Sequence, residues 1–245
     1  MTEFKIINLP ECESSNSLLK ERRGTFGPFT ILRCLKQTQG RGRWGRKWFS
    51  KEDKGLTFSI LFPIHKNDDY IYYPMAVAYS VVKTFSELDI ESEFLWPNDV
   101  YVKGKKICGI LNESVTRGSE SFLVSGIGVN INLDKEDFPE PIKNTSISLK
   151  MILGEETAPE FFFKKFINQL YSLIDENTAL PAVLNFLKRN SLLKKGEKVK
   201  VRVRDREIEG VFEEITENFR LKIITDHGEE EFFDGEVLRI ENSSD

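Results

Sequence analysis

The sequence predicts an α+β fold: a mixed β-sheet flanked by helices, followed by a small antiparallel β-barrel. Three observations carry this. Through the first ~190 residues, short apolar runs alternate with segments that are apolar on one helical face. Near Lys194-Lys195-Gly196 the texture changes to short strands separated by turn residues. Between two of the early strands lies a glycine- and arginine-rich stretch, Gln37 to Trp48, too polar to be either strand or core helix.

In order, Phe4–Leu9 reads as a strand ended by Pro10, and Ser14-Ser15-Asn16 as the cap of a helix over 17–22. Phe29–Leu35 and Leu56–Phe62 are strands on either side of the glycine-arginine loop. Val77, Val81, Thr84, Phe85 and Leu88 share one face of a helix over 73–88, with Pro74 in its first turn. Glu93–Trp96 is a strand. Lys103-Gly104 turns a hairpin whose returning strand runs from Lys105 to Leu111. Strict alternation along it puts Ile107 and Leu111 on one face and Lys106, Cys108 and Ile110 on the other. Ser121–Asn132 is a long strand with Gly126 and Gly128 breaking its side-chain wall. Asp134–Asn144 is a loop, and 145–153 a short helix. Thr157-Ala158-Pro159-Glu160 opens a helix carrying Phe162, Phe163, Phe166 and Leu170 to the core, and Leu180–Leu187 marks a last helix. Strands at 198–204, 206–212, 219–225, 229–233 and 236–240 then form a module of the SH3-like kind. The expected boundary divides 1–192, a ligand-binding domain, from 193–245.

Composition bounds the function. The chain has 245 residues, net charge −4 and 30% charged residues. The cations of Arg41, Arg43, Arg46 and Lys47 are therefore local, and a wholly nucleic-acid-binding surface is disfavoured. With Gly40, Gly42 and Gly45 among them, the stretch can fold over an anion, glycine allowing close backbone approach and arginine offering a planar fork of donors. A solvated basic loop is the alternative. Three cysteines at unrelated spacings, with only two histidines, disfavour a zinc site and read as free buried thiols in a reducing compartment. No signal peptide or membrane span is recognisable, so the expected location is cytoplasmic. Pro97 fixes the geometry of Trp96-Pro97-Asn98-Asp99. Lys106, three residues before Gly109, is an unusual start for a buried strand, although Lys103, Lys105 and Lys106 also fit solvated hairpin charges. Trp48 and Phe49 read as anchors of the loop's hinge. Asn130 and Asn132 are polar positions in an apolar run that need partners.

Taken together these stretches resemble the biotin–protein ligase (biotin–[acetyl-CoA-carboxylase] ligase) family over 14–240. The resembling motifs are Q-x-x-G-R-G-R-x-G-R-x-W at Gln37–Trp48, W-P-N-D at Trp96–Asp99 with K-x-x-G-I-L at Lys106–Leu111, G-x-G-x-N-x-N at Gly126–Asn132, and the early Ser14-Ser15-Asn16. The resemblance implies a class II synthetase/biotin ligase-like sheet and a two-step reaction with biotin and ATP as substrates and Mg2+. It implies Lys106 as the catalytic amine and Arg41 and Arg43 as cations over the reacting anions. It places Ser14, Ser15, Asn16, Gln37 and Gly109 at biotin, Gly40, Gly42 and Trp48 in the binding loop, and Asn130 near the phosphates. Ligands to the metal are not assigned, and Asp99 is an orienting candidate. Implied partners are the carrier domain of a biotin-dependent carboxylase and, as a default, a second copy in a homodimer. Neither specific DNA binding nor a membrane is expected, because the pattern starts too early for a preceding helix-turn-helix. Leu95 stands where lysine is common, and Cys108 where alanine is common, so alkylation at Cys108 is expected to inactivate. A lipoate or octanoate ligase, and an RNA-binding protein using the basic loop and terminal barrel, are the competing readings.

Overall fold

A computed structural model describes residues 4–66, 69–175 and 178–239. Seven strands form one mixed sheet in the order β1(Lys5–Cys12), β2(Thr30–Gln37), β3(Gly55–Ile64), β7(Glu120–Asn130), β6(Lys105–Arg117), β5(Asp99–Val102), β4(Glu93–Leu95). Only the β1–β2 pair is parallel. The hairpin at Lys103-Gly104 has both residues at positive φ (51° and 72°), as a tight two-residue turn requires.

Alternation divides the sheet into two faces. Phe58, Ile60 and Phe62 point to one side. There they pack with α2(Asp69–Ser86), α4(Pro159–Asp175) and α5(Leu180–Arg189), including Phe85, Phe162, Phe166 and Leu187. Phe58 meets Phe163 and Phe166 edge-on, each 5.1 Å between ring centroids. Fully burying side chains of this size stabilises the fold by roughly 1.5–3 kcal/mol each. The opposite face carries α1(Ser15–Glu21), whose Leu19 covers Leu32, Leu61 and Val124. That cluster is small and spans only one end of the sheet. The rest of this face stays open, and the site lies there. α3(Leu149–Leu153), closed by Gly154 at φ 81°, follows the 3-10 turns after β7.

The C-terminal strands form a five-stranded antiparallel sheet, β11(Gly228–Phe232), β10(Leu221–Thr225), β9(Arg206–Ile215), β8(Lys198–Val203), β12(Glu236–Arg239). Among the described residues β11 and β12 do not pair, so the expected barrel is an open, SH3-like sheet. Its apolar residues Val199, Val201, Phe212 and Leu221 join the main core cluster. Trp96 Nε1 donates to Phe219 O at 2.8 Å, and Phe94 stacks on Phe219. Among the described residues no helix is long and apolar enough to cross a membrane.

Two expectations are corrected. Cys12 and Cys34 are paired as a disulfide between β1 and β2, Cα–Cα 6.2 Å, and only Cys108 is free. Pairing follows from the adjacency of two parallel strands, which spacing alone does not reveal. The register of β5 against β6 shifts between Val100 and Tyr101, so that Val100 faces Cys108 and Tyr101 faces Lys106. This bulge breaks the alternation. Cys108 turns into the core, fully buried, instead of sharing a face with Lys106. Burial pushes its thiol pKa up, reinforced by Asp99 and only partly offset by Lys106. A neutral, inaccessible thiol is a poor target for alkylation.

Candidate functional site

Register builds the floor of the site. On the open face Thr57 pairs Gly128, which pairs Gly109; Ser59 pairs Gly126, which pairs Leu111; Leu61 pairs Val124, which pairs Glu113. The last row lies beneath α1. The first two, with three glycines among six positions, form a depression. A Cβ on Gly128 would lie 2.3 Å from the Trp48 indole and one on Gly109 2.9 Å from it. A Cβ on Gly126 would lie 2.2 Å from Asn16 Oδ1. These glycines are needed for space: Trp48 lies on one pair and Asn16 on the third.

The cavity above this floor measures about 340 Å³. Its one end is a polar network from α1 and the strands. Ser15 N donates to Gln37 Oε1 at 2.8 Å. The Ser15 and Ser59 hydroxyls are 2.6 Å apart, and Ser59 Oγ donates to Asn16 Oδ1 at 2.5 Å. Ser14 caps α1 by accepting from Ser17 N, and with Ser15 and Asn16 it is buried. The expected capping and the expected site position therefore coincide.

At the other end stands Lys106, its side chain about one-third exposed, with Nζ 2.6 Å from Asp99 Oδ2 and 5.9 Å from the centre of the Trp48 ring. The bulge brings Lys106 onto Gly109, whose added Cβ would meet Lys106 Nζ at 3.4 Å. Asp99 Oδ1 is buried without a partner. Asn130 lines the cavity and donates to Ile147 O at 3.0 Å. Asn132 instead clamps Thr157, donating to its carbonyl at 2.9 Å and accepting from its N–H at 3.0 Å.

The glycine-arginine loop covers the mouth as a small flap. Arg41 and Lys47 form a bridge, Gly42 N donates to Arg46 O, and Trp48 N donates to Gly40 O. Gly40 has no room for a side chain, since a Cβ would meet Trp48 O at 2.8 Å. Arg41 and Arg43 line the cavity but do not converge on Lys106: Arg41 donates to Ser17 Oγ, and Arg43 to Asn98 Oδ1 (2.9 Å), Gly235 O (2.8 Å) and Asp234. Arg46 makes a bidentate pair with Glu236, and the Arg43 and Arg46 guanidiniums lie 4.6 and 5.6 Å from the Trp44 ring centre. The Arg46 hydrogen bond outweighs burial and holds the Glu236 carboxyl below its ordinary value. The anchoring of the flap to the β11–β12 turn, and the participation of Ser59, were absent from the sequence reading. Ser59 had a signal, being with Thr57 one of two hydroxyls on one face of a largely apolar strand; Asp234 and Glu236 had none.

The site is thus a cavity with a polar network at one end and the Lys106 amine at the other, covered by a flap that carries guanidinium groups. Residues 32–132 match the model of the Biotin/lipoate A/B protein ligase family. It is 34% identical over 133 residues to the bifunctional ligase/repressor BirA of Bacillus subtilis, 52% of this chain and 40% of that protein. It is 30% identical over 113 residues to the biotin–[acetyl-CoA-carboxylase] ligase of Mycobacterium tuberculosis, 44% of this chain and 41% of that one. The chain thus spans about two-fifths of the length of these curated relatives. Its structure is similar to that of a biotin protein ligase from Aquifex aeolicus in complex with biotin and ATP, with TM-score 0.81 and 28% identity over 96% of this chain and 99% of that one.

Proposed function

We propose that this chain is a biotin–protein ligase. It joins biotin to ATP as biotinyl-5′-AMP with release of pyrophosphate, then passes the biotinyl group to a lysine of a carrier domain in a biotin-dependent carboxylase, releasing AMP. The observation that carries this is the position of the Lys106 amine at the rim of a glycine-floored cavity, opposite a polar network and beneath an arginine flap. Likeness to a solved enzyme holding biotin and ATP supports it. Residues 1–192 are the proposed catalytic domain and 193–245 an SH3-like domain.

Both first-step reactants are anions, and bringing a carboxylate to a phosphate requires their charge to be neutralised. Lys106 Nζ does this between the biotin carboxylate and the α-phosphate, exchanging Asp99 for them. The carboxylate oxygen attacks phosphorus, and the bond to the pyrophosphate leaving group breaks. Arg41 and Arg43 give up their present partners and close over the adenylate, excluding water from a labile anhydride. Ser14, Ser15, Asn16 and Gln37 hold the ring of biotin, with Gly109 at its chain. Trp48, Gly40, Gly42 and Asn130 line the nucleotide's place. In the second step the acceptor amine attacks the acyl carbon and AMP leaves.

Among the described residues no group of three or more His, Cys, Asp or Glu could hold a metal. The site suits a magnesium ion that keeps most ligands from phosphates and water, with the unpartnered Asp99 Oδ1 as the carboxylate to hold it. That ion would supply charge neutralisation on the triphosphate. A cytoplasmic location and a homodimer belong to the same proposal. Incubation with biotin, Mg-ATP and a carrier domain should add one biotinyl group to the carrier by mass. Transfer of lipoate in its place, or no transfer, would contradict the assignment.

A further inference from the structure

We propose that Glu113, outside the cavity, is a positioning residue that fixes the donor and acceptor pattern of the ring-binding end; this rests on the ligase reading above. Glu113 lies on β6 in the row beneath α1, beside Val124. Asn16 and Lys20, one turn apart on α1, both reach down to it. Lys20 pairs with Glu113 Oε1, and Asn16 Nδ2 donates to Glu113 Oε2 at 2.9 Å and to Leu111 O at 3.1 Å.

An asparagine amide has two donors, and here both are spent on Glu113 and Leu111. Asn16 can offer the cavity only Oδ1, an acceptor. Ser59 has one hydroxyl hydrogen, and it goes to Asn16 Oδ1. Ser15 Oγ approaches both Ser59 Oγ at 2.6 Å and Gln37 Oε1 at 3.2 Å; because Ser59 has no hydrogen left for the shorter contact, Ser15 donates to Ser59 there, and Gln37 Oε1 keeps the Ser15 N–H as its donor. With that hydrogen spent, Ser15 Oγ faces the cavity as an acceptor. Gln37 Oε1 is taken by Ser15 N, and Gln37 Nε2 makes no hydrogen bond among the described residues. The end of the cavity thus presents acceptors at Asn16 and Ser15 and a donor at Gln37. A cyclic urea carries the complement, two N–H donors flanking one carbonyl. The order starts at Glu113 because an ionised carboxylate only accepts. Burial alone would raise the Glu113 pKa, but hydrogen bonds from Lys20 and Asn16 outweigh it and hold the group ionised, below its ordinary value.

The test uses Glu113→Gln. A glutamine between Lys20 and Asn16 must turn its NH2 towards one of them, either against the Lys20 ammonium or against the Asn16 amide, reversing that amide. Replacing Lys20 with methionine in the same chain frees the introduced glutamine to turn its carbonyl oxygen back to Asn16. Biotin Kd, KM for ATP at saturating biotin, and Tm are measured for wild type, Glu113→Gln and Lys20→Met/Glu113→Gln. The expected result is a biotin Kd raised on the order of tenfold or more in the single variant. KM for ATP should stay within about twofold, and the double variant should return to within about threefold of wild-type Kd. Wild-type biotin affinity in Glu113→Gln overturns the proposal. So does a loss shared equally by ATP, with lowered Tm and no rescue in the double variant. If wild type itself binds no biotin, the ligase reading fails and takes this proposal with it; if wild type binds and Glu113→Gln binds equally, this proposal alone fails.

Discussion

At the scale of single residues, the site works through positions where one atom more or less matters. Gly126 is the sharpest case, because a Cβ there would meet Asn16 Oδ1 at 2.2 Å. Gly126→Ala should displace Asn16 and weaken biotin binding by on the order of tenfold, the scale expected when a buried polar contact is lost; titration calorimetry giving wild-type affinity would contradict this. Cys108 is the opposite case, a residue beside the chemistry in sequence and away from it in space. Buried and held neutral, it should take up iodoacetamide only after denaturation, as read by intact mass, with ligase activity unchanged by treatment of the native protein. Rapid labelling of Cys108 in the native state would contradict the burial. The motif residues were legible from sequence because their chemistry is unusual for their place: a lysine opening a buried strand, arginines among glycines. Cys108 was misplaced because face assignment assumed unbroken alternation, and the bulge opposite Tyr101 is not encoded in the local pattern.

At the scale of elements, α1 and the β6–β7 pair act as one unit. Leu19 of α1 covers Leu61 and Val124, and Asn16 at its start lies on Gly126, so the floor runs from there to Gly128 and Gly109 beneath Trp48. Strand boundaries were legible where turn residues punctuate alternation: the expected strands 198–204 and 229–233 are observed as Lys198–Val203 and Gly228–Phe232. Less legible was the length of β6. The expected strand ends at Leu111, whereas β6 continues to Arg117 and carries Glu113 on the same face as Leu111. The disulfide between Cys12 and Cys34 was hidden for a related reason: it depends on β1 lying parallel to β2, a tertiary fact. Gly128→Ala belongs to this scale, since its Cβ would push the Trp48 indole, and with it the base of the flap, off the sheet. The expected outcome is a raised KM for ATP, by about an order of magnitude, with biotin Kd changed less; an unchanged KM for ATP would show that Trp48 has no part in the nucleotide's place.

At the scale of the whole molecule, the flap is held between two sheets. Arg43 and Arg46 reach the β11–β12 turn through Asp234, Gly235 and Glu236. These pairs are partly exposed, and each contributes at most about 1 kcal/mol to stability. Their effect is on where the flap rests. Glu236 has a depressed pKa, so its contact is fully present above the ordinary glutamate value of 4.5 and is lost as pH falls through the lower folded value. Trp44, which packs against both guanidiniums, reports this. Its fluorescence should hold steady from neutral pH down to about 4.5 and change only below, and the change should be absent in Glu236→Gln. A wild-type transition between about pH 7 and 5 would contradict the assignment. What joins the three scales is Lys106: the bulge aims it, the glycine floor makes room beside it, and the flap covers the mouth of its cavity. The most direct measurement is pyrophosphate release from Mg-ATP with biotin present, comparing wild type with Lys106→Ala. Release that depends on biotin, and falls by about 100-fold or more in a variant with wild-type Tm, is expected; equal release from both proteins, or none from wild type, would contradict the role given to that amine.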